Sequence, residues 1–209
     1  MSLRRLAAAV SLCLSWLALP SPASAASIDL NGCHTDSPSG AQDVKYDFTS
    51  PTAGLVLLTE QVGGTNTSRA RIFDGNTEIA NTGYGATGTT QRATATLTES
   101  HAYVVMHDDW SGAGLGNMTV CIYGVSITSP SNGQVVTTKR PTFSGLAPSG
   151  YTVTIKEGTT TLCSATASSG AYSCTPSADL AEGSHAVQAQ VSVQGYTLTA
   201  NRTFSVNSY

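Results

Sequence analysis

An all-β fold, two consecutive antiparallel β-sandwich domains behind a cleaved signal peptide, is what three features of this sequence predict. No window sustains a helical period; apolar and polar residues instead alternate over short runs, the signature of half-buried strands. Clusters of Gly, Pro, Asn, Asp and Ser separate those runs and supply turns. Charged residues make up only 11% of the chain, so solubility rests on the abundant Ser and Thr hydroxyls.

The first 25 residues read as a targeting signal. Arg4 and Arg5 precede an apolar run from Leu6 to Leu19, and Ala23-Ser24-Ala25 forms an A-x-A cleavage signature. The run falls short of the roughly 20 residues a membrane helix needs, so no membrane insertion is expected after cleavage. The domains then run over residues 26–125 and 126–209. Formal net charge is −3 for the full chain and becomes more negative once Arg4 and Arg5 leave. Without a Lys/Arg cluster, that balance argues against nucleic acid or anionic lipid as partner.

Removal of Cys13 with the signal leaves four cysteines, an even number in an exported chain, and two disulfides are expected. Of the three pairings, Cys33–Cys121 and Cys163–Cys174 each stay within one domain. No spacing is C-x2-C or C-x4-C, which argues against a zinc site.

In the first domain Val44, Tyr46 and Phe48 alternate with Lys45 and Asp47, giving a strand with one face inward. Leu55 to Val62 and Arg69 to Phe73 follow as strands. Asp74-Gly75-Asn76 turns the chain into Glu78-Ile79-Ala80. Arg69 and Arg71 share a strand face, with Glu78 in reach across that hairpin. Residues 81–89 read as a surface loop carrying Tyr84. Ala93, Ala95 and Leu97 alternate with threonines that face solvent. Strands from His101 to Met106 and from Met118 to Tyr123 close the domain. Alternation with Val120 and Ile122 points Cys121 away from the core, where the N-terminal segment crosses over it.

The run Asp43-Val44-Lys45-Tyr46-Asp47-Phe48, with Arg71-Ile72-Phe73-Asp74-Gly75-Asn76 and Tyr103-Val104-Val105 leading to Trp110-Ser111-Gly112, resembles the pre-peptidase C-terminal domain of secreted bacterial hydrolases. That resemblance implies a non-catalytic sandwich that binds matrix or polysaccharide, with calcium in some members. The Cys33/Cys121 pair departs from the family.

In the second half, Ile127-Thr128-Ser129-Pro130-Ser131-Asn132-Gly133 and Arg140-Pro141-Thr142-Phe143-Ser144-Gly145 are followed by Thr152-Val153-Thr154-Ile155-Lys156-Glu157-Gly158 and Leu180-Ala181-Glu182-Gly183-Ser184-His185. This series resembles the bacterial Ig-like repeats of surface adhesins and secreted enzymes. Tyr172 stands where that family usually places a core Trp. A hairpin centred on Ser168-Ser169 sets Cys163 opposite Cys174, and His185 falls at the surface.

The candidate ligand-binding residues are His107, Asp108, Asp109 and Trp110, read as a polar-aromatic loop before the glycine-rich stretch 111–116, together with Tyr84. Carboxylates there suit sugar hydroxyls or a calcium ion, and the indole suits a pyranose face. Asp36, Asp43, Asp47 and Asp74 offer further oxygens, but no D-x-D-x-D-G loop is present, and no resident cofactor is expected. G-x-S-x-G, H-E-x-x-H and P-loop patterns are all missing. The expectation is a secreted or cell-surface, non-enzymatic binding or adhesion protein whose partner is a polysaccharide or a surface protein. A structural protein of the cell surface or matrix is the alternative, and a secreted hydrolase or its accessory protein a third reading.

Overall fold

The computed structural model describes residues 26–36, 43–63, 68–109 and 117–209. The expected signal peptide and Trp110 lie outside those residues. Among the described residues the chain forms sixteen strands and no helix.

The first half contributes β1 (Ala26–Ser27), β2 (Cys33–Asp36), β3 (Val44–Thr49), β4 (Gly54–Val62), β5 (Ser68–Asp74), β6 (Thr77–Asn81), β7 (Thr90–Leu97), β8 (Ala102–Asp109) and β9 (Met118–Tyr123). They form two sheets, in the orders β1-β3-β8-β5-β6 and β2-β9-β4-β7. Period-two alternation sends Tyr46 and Phe48 of β3, Ile72 of β5 and Val105 of β8 inward. There they meet Val56 and Leu58 of β4 and Val120 and Ile122 of β9 in one core. Each such side chain contributes about 1.5–3 kcal/mol by leaving water. Gly75 holds φ at +55°, a conformation that suits glycine in the tight β5–β6 turn.

The second half contributes β10 (Gln134–Val136), β11 (Phe143–Leu146), β12 (Thr152–Glu157), β13 (Thr160–Thr166), β14 (Ala171–Cys174), β15 (Gly183–Val193) and β16 (Tyr196–Val206). A five-stranded sheet, β10-β16-β15-β12-β13, faces the pair β11-β14 across a core built on Phe143, Ile155, Val191, Leu198 and Phe204.

Both expected disulfides are present, Cys33–Cys121 and Cys163–Cys174, but neither sits as expected. Cys33 does not cross over Cys121. It lies beside it, because β2 pairs with β9 as the outermost strand of its sheet with Cys33 directly opposite Cys121. Cys163 and Cys174 are not partners in a hairpin ladder either. Only Ser168 and Ala171 bridge at the turn. Beyond it Cys163 pairs with Ile155 and Cys174 with Phe143, so the bond ties the edges of two different sheets. His185, expected at the surface, is 6% exposed. Its ring stacks on Phe204, and its nitrogens meet a Glu157 carboxylate oxygen and the Ala181 carbonyl.

The two sandwiches are fused along β4 and β16. Asn201 N donates to Ala53 O at 3.0 Å, and Leu57 of β4 is counted in the second core. Arg202, 6% exposed, donates to both oxygens of Glu99 at 2.8 and 3.0 Å and to the Ile127 carbonyl.

Candidate functional site

The outward face of the sheet containing β3, β8 and β5 is the best-equipped surface. Ladder register sets its side chains in rows. Lys45, Met106 and Arg71 lie side by side, as do Asp47, Val104 and Phe73, and Thr49 sits beside Ala102. Two adjoining depressions of about 280 and 420 Å³ share Gly75 and Val104 along this face. Their floor is apolar, from Met106 through Val104 and Phe73 to Ala102. The rim is polar: Asp43, Lys45 and Asp47 on one side, Asn76 of the β5–β6 turn on the other. The side chains of these four are exposed and have no hydrogen-bond or ion-pair partner among the described residues. Convergent polar groups without protein partners above an apolar floor are what a ligand site requires.

One end of the face is closed by an ion cluster. Arg69 donates to Asp108 through Nε at 2.9 Å and Nη2 at 3.2 Å, and Arg71 donates to the same carboxylate. Arg71 also reaches Glu78 at 3.4 Å, as the hairpin reading expects. The hydrogen bond to Asp108 and the charge of that carboxylate raise the Arg69 pKa, opposed by partial burial. The Arg69 guanidinium also covers the Tyr84 ring at 4.4 Å, and Arg71 covers Phe73 at 5.1 Å.

The sequence-read site is divided by this geometry. His107 and Asp108 do not begin a loop; β8 runs on through Asp109, whose backbone pairs with Ser68. Strand alternation then sends His107 inward, where it is fully buried, and Asp108 outward into the arginine cluster, 8% exposed. Tyr84 stands near Arg69, 38% exposed. Trp110 and the Asp109 side chain lie outside what is described. Asp36 meets His107 and Asp74 meets His101, while Asp43 and Asp47 line the groove, so these four carboxylates do not converge. Among the described residues, no group of three or more His, Cys, Asp or Glu side chains is placed to hold a metal.

Behind this face the sandwich core turns polar. Glu60 of β4 and His107 are both fully buried, with Oε2 and Nδ1 3.6 Å apart. Ser68 Oγ donates to Glu60 Oε1 at 2.9 Å. His107 Nε2 lies 3.1 Å from Asp36 Oδ2 and 3.4 Å from the Tyr46 hydroxyl. The sequence reading missed Glu60, because Thr59-Glu60-Gln61 looks like the polar end of a strand. It also missed the groove residues Phe73, Val104 and Met106, although alternation with Ile72 and Val105 was enough to place them outward.

The comparisons with known proteins bear on the second half. Residues 125–207 match the family model of the bacterial Ig-like domain. Among curated proteins none matches the chain. Solved structures with local likeness include the BSP domain of a biofilm-associated protein, at 14% identity and TM-score 0.33, covering 81% of this chain and 30% of that one. The M60 catalytic domain with CBM51-1 and CBM51-2 domains from Clostridium perfringens ZmpB gives 12% identity, TM-score 0.34, and coverage of 85% and 19%. A β-glucuronidase of Faecalibacterium prausnitzii gives 15%, 0.29, and coverage of 81% and 38%. The chain spans well under half the length of each, and likeness at these scores carries no functional argument. None of these matches supports the pre-peptidase resemblance of the first half.

Within the matched segment, Tyr172 takes the core position expected of it, 4% exposed, and donates its hydroxyl to the Ser126 carbonyl at 2.8 Å. The five-stranded sheet of the second half also carries a depression, lined by residues such as Thr152, Thr154, Lys156, Gln190 and Thr197 but by no aromatic side chain. The groove on the first sandwich is therefore the stronger candidate.

Proposed function

We propose that the protein is a secreted or cell-surface, non-catalytic binding protein in which the first sandwich recognises polysaccharide and the Ig-like domain presents it. The observation that carries this reading is the β3–β8–β5 groove, with Phe73, Val104 and Met106 as floor and, at the rim, Asp43, Lys45, Asp47 and Asn76, which have no side-chain partner among the described residues. A sugar ring has an apolar face of C–H groups and a rim of hydroxyls, and the groove offers the complement of each. A peptide strand would more readily add to a sheet edge, where backbone groups are free. The paired cysteines suit an oxidising, extracellular compartment.

Three rows of side chains along β8 span about 13 Å, and three strands across give about 10 Å, room for a short stretch of polymer rather than one ring. Chemistry on a bound sugar would need a reactive group placed at it. The buried Glu60–His107 pair faces the other side of the sheet, away from the groove. Thermal shift of the full exported chain against a polysaccharide panel tests the reading. A ligand at 100 times its Kd stabilises by about 2.7 kcal/mol, so a panel-wide absence of any shift, with no retardation in affinity gels, overturns it.

A further inference from the structure

We infer that Asp43 and Asp47 make the groove selective for uncharged polysaccharide and exclude polyanionic polymers. The inference rests on the polysaccharide reading above and adds the class of polymer and the residues that choose it.

The argument is one of unpaired charge. The guanidiniums of Arg69 and Arg71, the strongest cations near the groove, are already spent on Asp108 and Glu78. Asp74 is likewise paired with His101 at 2.8 Å. What remains for a ligand is Lys45, with Asp47 on the same face of β3 and Asp43 just before the strand, all three exposed and without a partner among the described residues. The rim therefore presents one positive and two negative charges over an apolar floor, on a chain whose formal net charge is −3. A hydroxylated, uncharged polymer can accept from the Lys45 ammonium and donate to either carboxylate, satisfying all three. A polymer of uronate, sulfate or phosphate groups donates less and must place its own charges against Asp43 or Asp47 wherever it meets Lys45. Like charges brought together at an interface are strongly unfavourable, so these two carboxylates work by rejection as much as by attraction.

The test is affinity gel electrophoresis and isothermal titration of the full exported chain. Uncharged dextran, xylan and glucomannan are compared with alginate and polygalacturonate. At low salt at least one uncharged polymer should bind about tenfold more tightly than either polyanion. The double variant Asp43→Asn/Asp47→Asn keeps the size and one acceptor oxygen of each side chain and removes both charges. The uncharged polymer should lose affinity with the two carboxylates, but the ratio of its affinity to that of the polyanions, measured on the same variant, should fall toward one. Equal or tighter binding of a polyanion by the unaltered protein overturns the inference and leaves the polysaccharide reading standing. So does a gap that the double variant leaves unchanged. Binding of no polymer of either kind overturns both.

Discussion

Glu60 and His107 face each other inside the first sandwich, each fully buried, with 3.6 Å between Oε2 and Nδ1 and no hydrogen-bond partner for either atom among the described residues. Removing one member leaves the other a buried polar group without its counterpart, which costs about 1–3 kcal/mol. His107→Leu should therefore lower unfolding stability by that order in denaturant titrations. Glu60→Gln/His107→Leu should lose less than the sum of the two single changes. Additive losses would show that the pair is not coupled. Polysaccharide binding by molecules still folded should be unchanged, because His107 points away from the groove.

Phe73 lies half-buried on the groove floor under the Arg71 guanidinium, outside the core. Phe73→Ala should abolish or strongly weaken polysaccharide binding while shifting Tm by only a few degrees. A loss of stability near the 3–5 kcal/mol typical of core Phe→Ala changes would mark it as structural instead.

Gly54 is a packing requirement. A Cβ there would stand 1.8 Å from the Thr199 carbonyl oxygen, and that obstacle is backbone. Gly54→Ala should cost about 1–3 kcal/mol, the usual range for overpacking, and loosen the junction between the domains. Limited proteolysis of the variant should cut faster between the two sandwiches than in the parent.

Burial raises the Tyr172 phenol pKa, slightly offset by the charge of Arg202. Folding therefore favours the protonated phenol. That contribution is whole below the ordinary tyrosine value of about 10 and is lost as pH rises from there toward the raised folded value. Tm should fall as pH is taken from 9 upward, and less steeply in Tyr172→Phe. At neutral pH the variant should be less stable by about 1 kcal/mol, for the lost hydrogen bond to Ser126.

The two disulfides should differ in worth. Cys33–Cys121 closes a separation of 88 residues and Cys163–Cys174 one of 11. Chain entropy assigns about 4–5 kcal/mol to the first and about 3 kcal/mol to the second. Paired Cys→Ser replacements measured by chemical denaturation should keep that order.

Strands were legible wherever alternation was clean, as in Val44 to Phe48 or Met118 to Tyr123, because a half-buried sheet leaves a period-two record. The end of β8 was not. His107-Asp108-Asp109 has the composition of a loop, and only the partners Glu60, Arg69 and Arg71, supplied by other strands, make it a place for buried polar groups. His185 was misread for the same reason, since its carboxylate lies 28 residues away on Glu157. The groove needed no distant information for its side-chain directions. What the sequence hid was that three separate strands stand side by side.

Leu57 has a bearing on how the molecule comes to exist. It belongs to the first half of the chain, yet its side chain is covered by residues that follow Val125. A chain emerging from its N-terminus completes β4 long before β16 is available to clothe it. Until then Leu57 on the outer side of β4 is an apolar side chain without its cover. The two halves are thus not beads on a string that could be cut apart or shuffled. Expressed alone, the first half would carry a sticky stripe where its neighbour should be.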